Sequence, residues 1–295
     1  MIASFHHSEF PLELLRERKR ERVSVILPTR EVAATIGPIV EALLSLEGLI
    51  DQLLVVDAAS EDGTADRARA LGADVHQESE LMPELGQALG KGDAMWRALA
   101  VTRGDLVAYL DSDTRAFSPH FATGMLGPLI LRRDVKFVKG TFRRPFITED
   151  GTELRQDGGR VTELTARPLL SAFYPELASF TQPLAGEVSA RRSFFERIPF
   201  HTGYAIETAM LMDARDAVGL SAMAEVDLEV RHNRHQPLPS LGPMAYAVLR
   251  VVIDRLRRDG RLLDDVAPPL QTADGRLIQV EPVVRPPFAS VRTRA

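Results

Sequence analysis

The chain has 295 residues, 45% of them apolar, enough for one large or two small domains with a sizeable core. Its 36 basic and 41 acidic residues leave a net charge of −5, which argues against nucleic acid as a main partner unless a basic patch is concentrated somewhere. With no cysteine there are no disulfides and no thiolate metal or redox chemistry. The start, Met1 to Pro11, is polar, and no apolar run approaches the roughly 20 residues that span a bilayer; a cytoplasmic protein without a membrane partner is expected.

Glu9 to Arg20 reads as a polar helix, and the mixed-sign run Arg16–Arg22 as a solvated helix face. Val23–Pro28 is a strand ending at a proline, followed by an apolar-periodic helix from Thr35 to Leu46. Leu53–Asp57 is a second buried strand, leading through loop chemistry into a helix over Ala65–Leu71. A short third strand spans Ala73–His76, and a glycine-containing loop from Glu78 to Gly90 precedes a helix over Asp93–Ala100. Leu106–Leu110 is the fourth strand and runs straight into Asp111-Ser112-Asp113. This alternation predicts βαβ units and a mostly parallel, doubly wound sheet with helices on both faces.

The second half is less regular. A helix is predicted over Ser118–Leu131, a strand over Val135–Phe142, a polar excursion over Thr148–Gly159, and a helix over Val161–Phe173 with a possible kink at Arg167-Pro168. A short strand at Glu187–Ala190, a helix over Glu207–Val218 and a strand over Met223–Val230 follow. That last strand delivers Arg231-His232-Asn233-Arg234-His235, and a long helix spans Tyr246–Arg258. From Asp264 the chain is proline-rich, a tail expected to wrap on the surface or to exchange with a neighbour.

In open α/β sheets ligands bind beyond the carboxyl ends of the strands, where Asp57, Asp111 and Asp113 fall. Carboxylate oxygens suit Mg²⁺ or Mn²⁺, which in turn hold phosphate oxygens. A helix cap and a solvated turn would fit the same tripeptide. Lys91, between Gly90 and Gly92, could face a phosphate, and a solvated lysine before a helix fits equally well.

Together these residues resemble a GT-A glycosyltransferase: Val23–Pro28, Asp57 with Ser60 and Thr64, Gly90-Lys91-Gly92, and Asp111-Ser112-Asp113. The second half resembles the glucosyl- and mannosyl-3-phosphoglycerate synthases in Phe137–Lys139, Phe142–Pro145, Gly158–Leu164, Ala166–Leu170, Gln182–Glu187 and Gly203–Glu207. The resemblance implies a GT-A fold with a nucleotide-sugar part over 1–140, a smaller acceptor part over 141–240, and a C-terminal helix and tail over 241–295. It implies a retaining transfer of mannose or glucose from a nucleotide sugar to the 2-hydroxyl of 3-phosphoglycerate, with Mg²⁺ or Mn²⁺ as cofactor and a homodimer as the assembly. The product would be a precursor of compatible solutes or methylated polysaccharides. Retention fits a covalent carboxylate intermediate or front-face attack, of which the resemblance favours the second.

The donor-site residues so implied are Pro28, Thr29, Glu31, Asp57, Ser60, Lys91, Asp111, Ser112, Asp113 and Tyr204, and the acceptor-site residues Gly159, Arg160 and Thr162. Asp111, Glu207 and Arg231 form the implied catalytic set, and Asp113 with His235 or His232 the metal set. Two stretches depart from the family pattern. Thr29–Ala34 replaces an asparagine followed by acidic residues beside the base, which points to loose base selection with GDP-mannose favoured. In His232–His235 the expected metal histidine falls on Asn233. These departures leave open a binding or regulatory protein without turnover. Transfer to a lipid phosphate would call for an amphipathic membrane segment, which the sequence lacks.

Overall fold

The computed structural model describes residues 2–147, 153–154, 159–232, 236–262, 270–271, 277–279 and 283–292. The strands in chain order are β1 (Ala3–His6), β2 (Val23–Thr29), β3 (Gln52–Asp57), β4 (Asp74–Gln77), β5 (Leu106–Tyr109), β6 (Phe137–Arg143), β7 (Phe146–Ile147), β8 (Glu153–Leu154), β9 (Val188–Arg191), β10 (Phe200–His201), β11 (Met223–Val230), β12 (Leu270–Gln271), β13 (Leu277–Ile278) and β14 (Val284–Arg285). The helices are α1 (Leu12–Arg18), α2 (Ala33–Leu44), α3 (Thr64–Ala70), α4 (Lys91–Ala98), α5 (His120–Leu131), α6 (Arg167–Phe173), α7 (Arg192–Phe195), α8 (Ile206–Val218), α9 (Leu238–Arg258) and α10 (Phe288–Arg292).

Eight strands form one sheet in the order β1-β11-β6-β9-β5-β2-β3-β4. Only β9 runs antiparallel to its neighbours. The expected mostly parallel GT-A sheet is therefore present. Among the inner strands, β3 and β5 carry the unbroken apolar runs Leu53–Val56 and Leu106–Tyr109, because both faces of the sheet are covered. Ile26, Leu54, Val56, Val107 and Tyr109 pack with α4, α8 and α9 on one face. Val25, Leu27, Leu53, Val55, Leu106 and Ala108 alternate to the other face, against α2 and α5. The stretch 141–240 sends β9 and β11 into this same sheet. No described helix is long and apolar enough to cross a membrane.

Several boundaries differ from the sequence reading. The polar start forms β1, an edge strand paired with β11, because edge pairing needs backbone groups more than an apolar pattern. Lys91 is the first residue of α4 rather than the residue before a helix; Gly90, at φ 86°, turns the chain into it. α9 begins at Leu238, eight residues earlier than periodicity indicated, with Pro239 in its first turn and Pro243 inside. Ahead of Pro168 the chain forms a π-helical stretch, Thr162–Ala166, instead of a simple kink; Pro168 falls in the first turn of α6, where its missing N–H costs little.

Most of the excursion expected over 148–159 lies outside the described residues, as does much of the tail. The tail's described parts dock on their own chain. β14 pairs with β10, Trp96 donates a hydrogen bond to the Pro286 carbonyl at 3.0 Å, and Phe288 is buried against Trp96.

Candidate active site

β5, β6 and β11 point the same way and β9 runs against them, so the carboxyl ends of three strands and the start of the fourth share one rim. Asp111 follows β5, Arg144 follows β6, Arg231 follows β11 and Glu187 precedes β9. Asp111, Arg144 and Arg231 edge a cavity of about 1000 Å³, with Glu187 buried behind them, and Asp113, Lys91, Arg160, Thr162, Tyr204 and Glu207 also open into it.

Charge is tightly paired at its floor. Lys91 Nζ donates to Asp111 Oδ1 at 2.6 Å and to Glu207 Oε1 at 2.9 Å. Arg231 bridges three carboxylates: Asp111 at 2.9 Å, Asp113 at 2.6 Å and Glu187 at 3.1 Å. Its guanidinium also lies over the Phe142 ring, 5.1 Å from the centroid. Burial alone would raise the Asp111 pKa, but Lys91 and Arg231 overcome it and hold the carboxyl well below its usual range. Lys91 and Arg231, in spite of burial, are held protonated by the same carboxylates. Glu187 is buried at 1% exposure, and burial pushes its pKa up.

A glycine permits this arrangement. A Cβ at Gly186 would stand 2.3 and 2.4 Å from the two Asp111 oxygens, which are already fastened on both sides. Gly186→Ala is expected to push Asp111 off Lys91 and Arg231 and to lower the transfer rate at least about tenfold, since misplacements near 1 Å cost that much or more. Rate and melting temperature of the variant, measured side by side, check this; an unchanged rate would mean Asp111 can relocate without consequence.

Lys139, on β6, is buried behind the floor and donates to the Ala185 carbonyl at 2.7 Å. Burial pulls its pKa down to about 8, although the Glu207 and Glu187 charges oppose this. The unfolded lysine titrates near 10.4, so between roughly pH 8 and 10.4 the unfolded chain binds more protons and stability rises with pH. That gain is full above the upper limit and lost as pH falls through about 8. Urea denaturation from pH 7.5 to 10 should show the wild type gaining about 2–3 kcal/mol relative to Lys139→Met. A pH-independent difference would contradict a depressed Lys139.

The residues expected on the acceptor side lie together in this cavity. Gly159, at φ 80°, precedes a helical turn beginning at Arg160, and Gly159, Arg160, Val161 and Thr162 all line the cavity. A helix amino end offers N–H groups and a favourable field to an anion. Arg160 also donates to the Gln236 carbonyl at 2.6 Å, which ties this turn to the start of α9.

The residues expected on the donor side divide between the cavity lining and the wall behind it. Pro28, Thr29, Ser112 and Tyr204 line the cavity; Ser112 Oγ donates to the Pro28 carbonyl at 2.7 Å, and Tyr204 is 53% exposed. Asp57 is corrected: it has no exposed surface and its carboxylate is occupied by Thr29 Oγ, Ser60 N and Oγ, and Gln77 Nε2, at 2.7–3.2 Å. It therefore braces the pocket wall instead of facing a base. Ser60 and Glu31 also stand outside the lining, with Ser60 Oγ accepting from Glu31 N at 2.8 Å and fixing the turn at Glu31, φ 51°.

For a metal, Asp113 is half exposed on the cavity, with one oxygen taken by Arg231. His232 pairs its backbone with Arg115 and does not line the cavity. Among the described residues no three carboxylate or imidazole ligands close around Asp113. His235 lies outside the described residues.

Sequence reasoning missed Arg144, Arg30 and Glu78. Arg144 lines the cavity; its buried Nε has no partner, and the guanidinium makes no ion pair among the described residues. Glu78 follows β4 at the far end of the cavity, where Arg30, Ala58 and Ala59 also lie. Its Oε2 is buried without a partner, and burial raises its pKa. An unpartnered buried acceptor is a three-dimensional signal that no local sequence pattern carries.

Residues 24–182 match the model of glycosyl transferase family 2. The chain is a family 2 glycosyltransferase. It is 39% identical over 267 residues to a glucosyl-3-phosphoglycerate synthase of Petrotoga mobilis, covering 88% of this chain and 82% of that one. Its fold is similar to the crystal structure of a mannosyl-3-phosphoglycerate synthase from Rubrobacter xylanophilus, with a TM-score of 0.88, 50% identity, and 98% and 97% of the two chains covered. It is also similar to a Mycobacterium tuberculosis glucosyl-3-phosphoglycerate synthase in complex with Mn²⁺, UDP-glucose and phosphoglyceric acid, with a TM-score of 0.88, 36% identity and 99% of each chain covered. The charged rim of this glycosyltransferase is thus built on a sheet shared with synthases of both sugars.

Proposed function

We propose that this glycosyltransferase moves mannose from GDP-mannose to the 2-hydroxyl of 3-phosphoglycerate with retention, acting as a homodimer with Mg²⁺ or Mn²⁺. The observation that carries the choice of base is the unpartnered Glu78 carboxylate at the end of the cavity that also holds Arg30. Guanine presents N1–H and N2–H₂ side by side, which a carboxylate accepts together, and O6 and N7 acceptors that suit an arginine. Uracil offers one N–H between two carbonyl oxygens, which a carboxylate repels. The 50% identity to the Rubrobacter xylanophilus mannosyl synthase supports the same reading. A glucosyl synthase is the second reading, favoured by relatives such as that of Petrotoga mobilis.

Asp113 keeps one hard oxygen clear of Arg231 on the cavity beside Asp111 and would help hold Mg²⁺ or Mn²⁺. When bound, the cation neutralises charge on the departing diphosphate. Lys91 and Arg231 hold the remaining negative charge in register. Arg144, Arg160 and Thr162, with the helix amino end, orient the carboxylate and phosphate of 3-phosphoglycerate. Asp111 has both oxygens engaged by cations and is a poor nucleophile, which supports front-face attack over a covalent enzyme intermediate. The bond from C1 to the diphosphate oxygen breaks, the acceptor oxygen bonds C1 on the same face, and its proton passes to the departing phosphate.

A donor-by-acceptor screen with defined metals tests the reading: release of GDP from GDP-mannose only when 3-phosphoglycerate is present is the expected result. Glu78→Gln is expected to cut kcat/KM for GDP-mannose about ten- to a hundredfold, the loss of a charge-assisted hydrogen bond, and to leave that for UDP-glucose within about threefold. Use of uridine donors alone would overturn the guanine reading and favour glucose. Release of nucleotide irrespective of acceptor would overturn the acceptor.

A further inference from the structure

We propose that His6, His7 and Glu229 form a binding site for a borderline divalent transition cation, with Zn²⁺ the best match, outside the catalytic pocket. One ligand atom from each residue lies within 4.8 Å of the other two. His7 Nε2 is 3.1 Å and His6 Nε2 3.8 Å from Glu229 Oε1. Tetrahedral zinc ligands at about 2.0–2.1 Å from the metal stand roughly 3.3 Å apart, a spacing these two distances bracket. Two imidazoles and a carboxylate with a fourth position for water suit Zn²⁺ better than Mg²⁺, which prefers all-oxygen shells.

The packing of the donors carries the proposal beyond proximity. His7 Nε2 is buried and faces Glu229 Oε1 at 3.1 Å, with no other polar partner among the described residues. His6 Nδ1 is 2.7 Å from Ser8 Oγ and accepts from the Ser8 N–H at 3.3 Å, contacts that fix the ring with Nε2 on the side of Glu229. The His7 ring is sandwiched between those of His6 and His120, at 4.4 and 4.2 Å, and His120 is itself anchored by Nε2 on the Leu228 carbonyl at 3.1 Å.

The backbone is shaped to the same end. Glu229 sits at φ 66° in a bulge between Asp227 and Val230, its N–H held by Asp227 Oδ1 at 2.8 Å. A non-glycine residue in that conformation is strained and persists only when its surroundings enforce it. On the other side Gly124 lets α5 approach: a Cβ there would meet His7 Cβ at 3.1 Å and Leu228 at 2.7 Å. A cation bound here would fasten the turn after β1 to the bulge two residues before Arg231, and so join the amino-terminal strand to the strand that delivers the catalytic guanidinium.

The test uses the full chain stripped with EDTA and titrated with Zn²⁺ alone, with Co²⁺ as the optical probe of tetrahedral coordination. One Zn²⁺ per chain is expected, accompanied by a rise in melting temperature that Mg²⁺ at the same concentration does not produce. Asp113→Ala should keep that stoichiometry, which separates the site from the catalytic pocket. His7→Ala and Glu229→Gln should each weaken Zn²⁺ at least about a hundredfold, because even outer-shell changes cost ten- to a hundredfold. His6→Asn, compared by circular dichroism, serves if His7→Ala fails to fold. Equal Zn²⁺ affinity in the wild type and these variants, or no bound Zn²⁺ at all, would reduce the cluster to an ion pair and overturn the proposal.

Discussion

Arg231→Met is expected to destabilise the folded chain by about 3–5 kcal/mol and to abolish transfer. The guanidinium is the cation shared by Asp111, Asp113 and Glu187, and it is 3% exposed. Removing it leaves Glu187 buried without its cation and Asp111 with Lys91 alone, the costly case for buried charge. Methionine keeps most of the volume, so the loss reports charge and not a cavity. The sign with pH follows. Without Arg231 the facing carboxylates repel one another and bind protons more readily in the folded state than in the unfolded one. The deficit should therefore shrink as pH falls towards 5. Denaturant unfolding of both proteins at pH 7.5 and pH 5 checks magnitude and sign. A variant as stable as the wild type at pH 7.5 would show that Glu187 and Asp111 do not depend on Arg231.

Asp113→Asn is expected to lower the transfer rate by about a thousandfold or more and to leave stability nearly unchanged. Its carboxylate is 46% exposed, so its ion pair with Arg231 contributes at most about 1 kcal/mol to folding. Its proposed work is holding the cation against the diphosphate, and Lewis-acid stabilisation of several kcal/mol converts to three or more powers of ten in rate. Asparagine keeps the shape and one oxygen but removes the charge. Rates at saturating Mg²⁺ and Mn²⁺, taken with a melting curve, separate the two effects. Wild-type rates at either metal would remove Asp113 from the metal site.

The sheet was legible in the sequence because its inner strands are covered on both faces. β3 and β5 then carry continuous apolar runs, and such runs stand out without any knowledge of what covers them. The Asp-Ser-Asp at the end of β5 was legible for a related reason: in a parallel sheet a polar residue at a strand's carboxyl end falls on the ligand side. β1 was not legible. An edge strand needs backbone partners more than a pattern, and its partner β11 lies over two hundred residues away.

Within the site, residue type and local context marked Asp57, Lys91, Asp111 and Asp113, and resemblance supplied the rest of the expected set, Arg160 and Thr162 among them. What each side chain does was decided only in three dimensions. Asp57 ends a strand just as a ligand-facing carboxylate would, yet four hydrogen bonds from Thr29, Ser60 and Gln77 turn it into a brace. Arg144, Glu187 and Gly186 carry no local signal, because their meaning depends on antiparallel β9 being inserted between β5 and β6. That single reversal brings the start of one strand to the rim formed by the ends of the others. It sets a buried carboxylate against Arg231 and leaves Asp111 room that only a glycine can spare. By itself the sequence determined the layered fold and the strand-end carboxylates, since burial on both faces and strand direction are written in local patterns. The tertiary structure decided the pairing of charges and the partnerless Glu78, since these depend on distances between segments that no local pattern encodes.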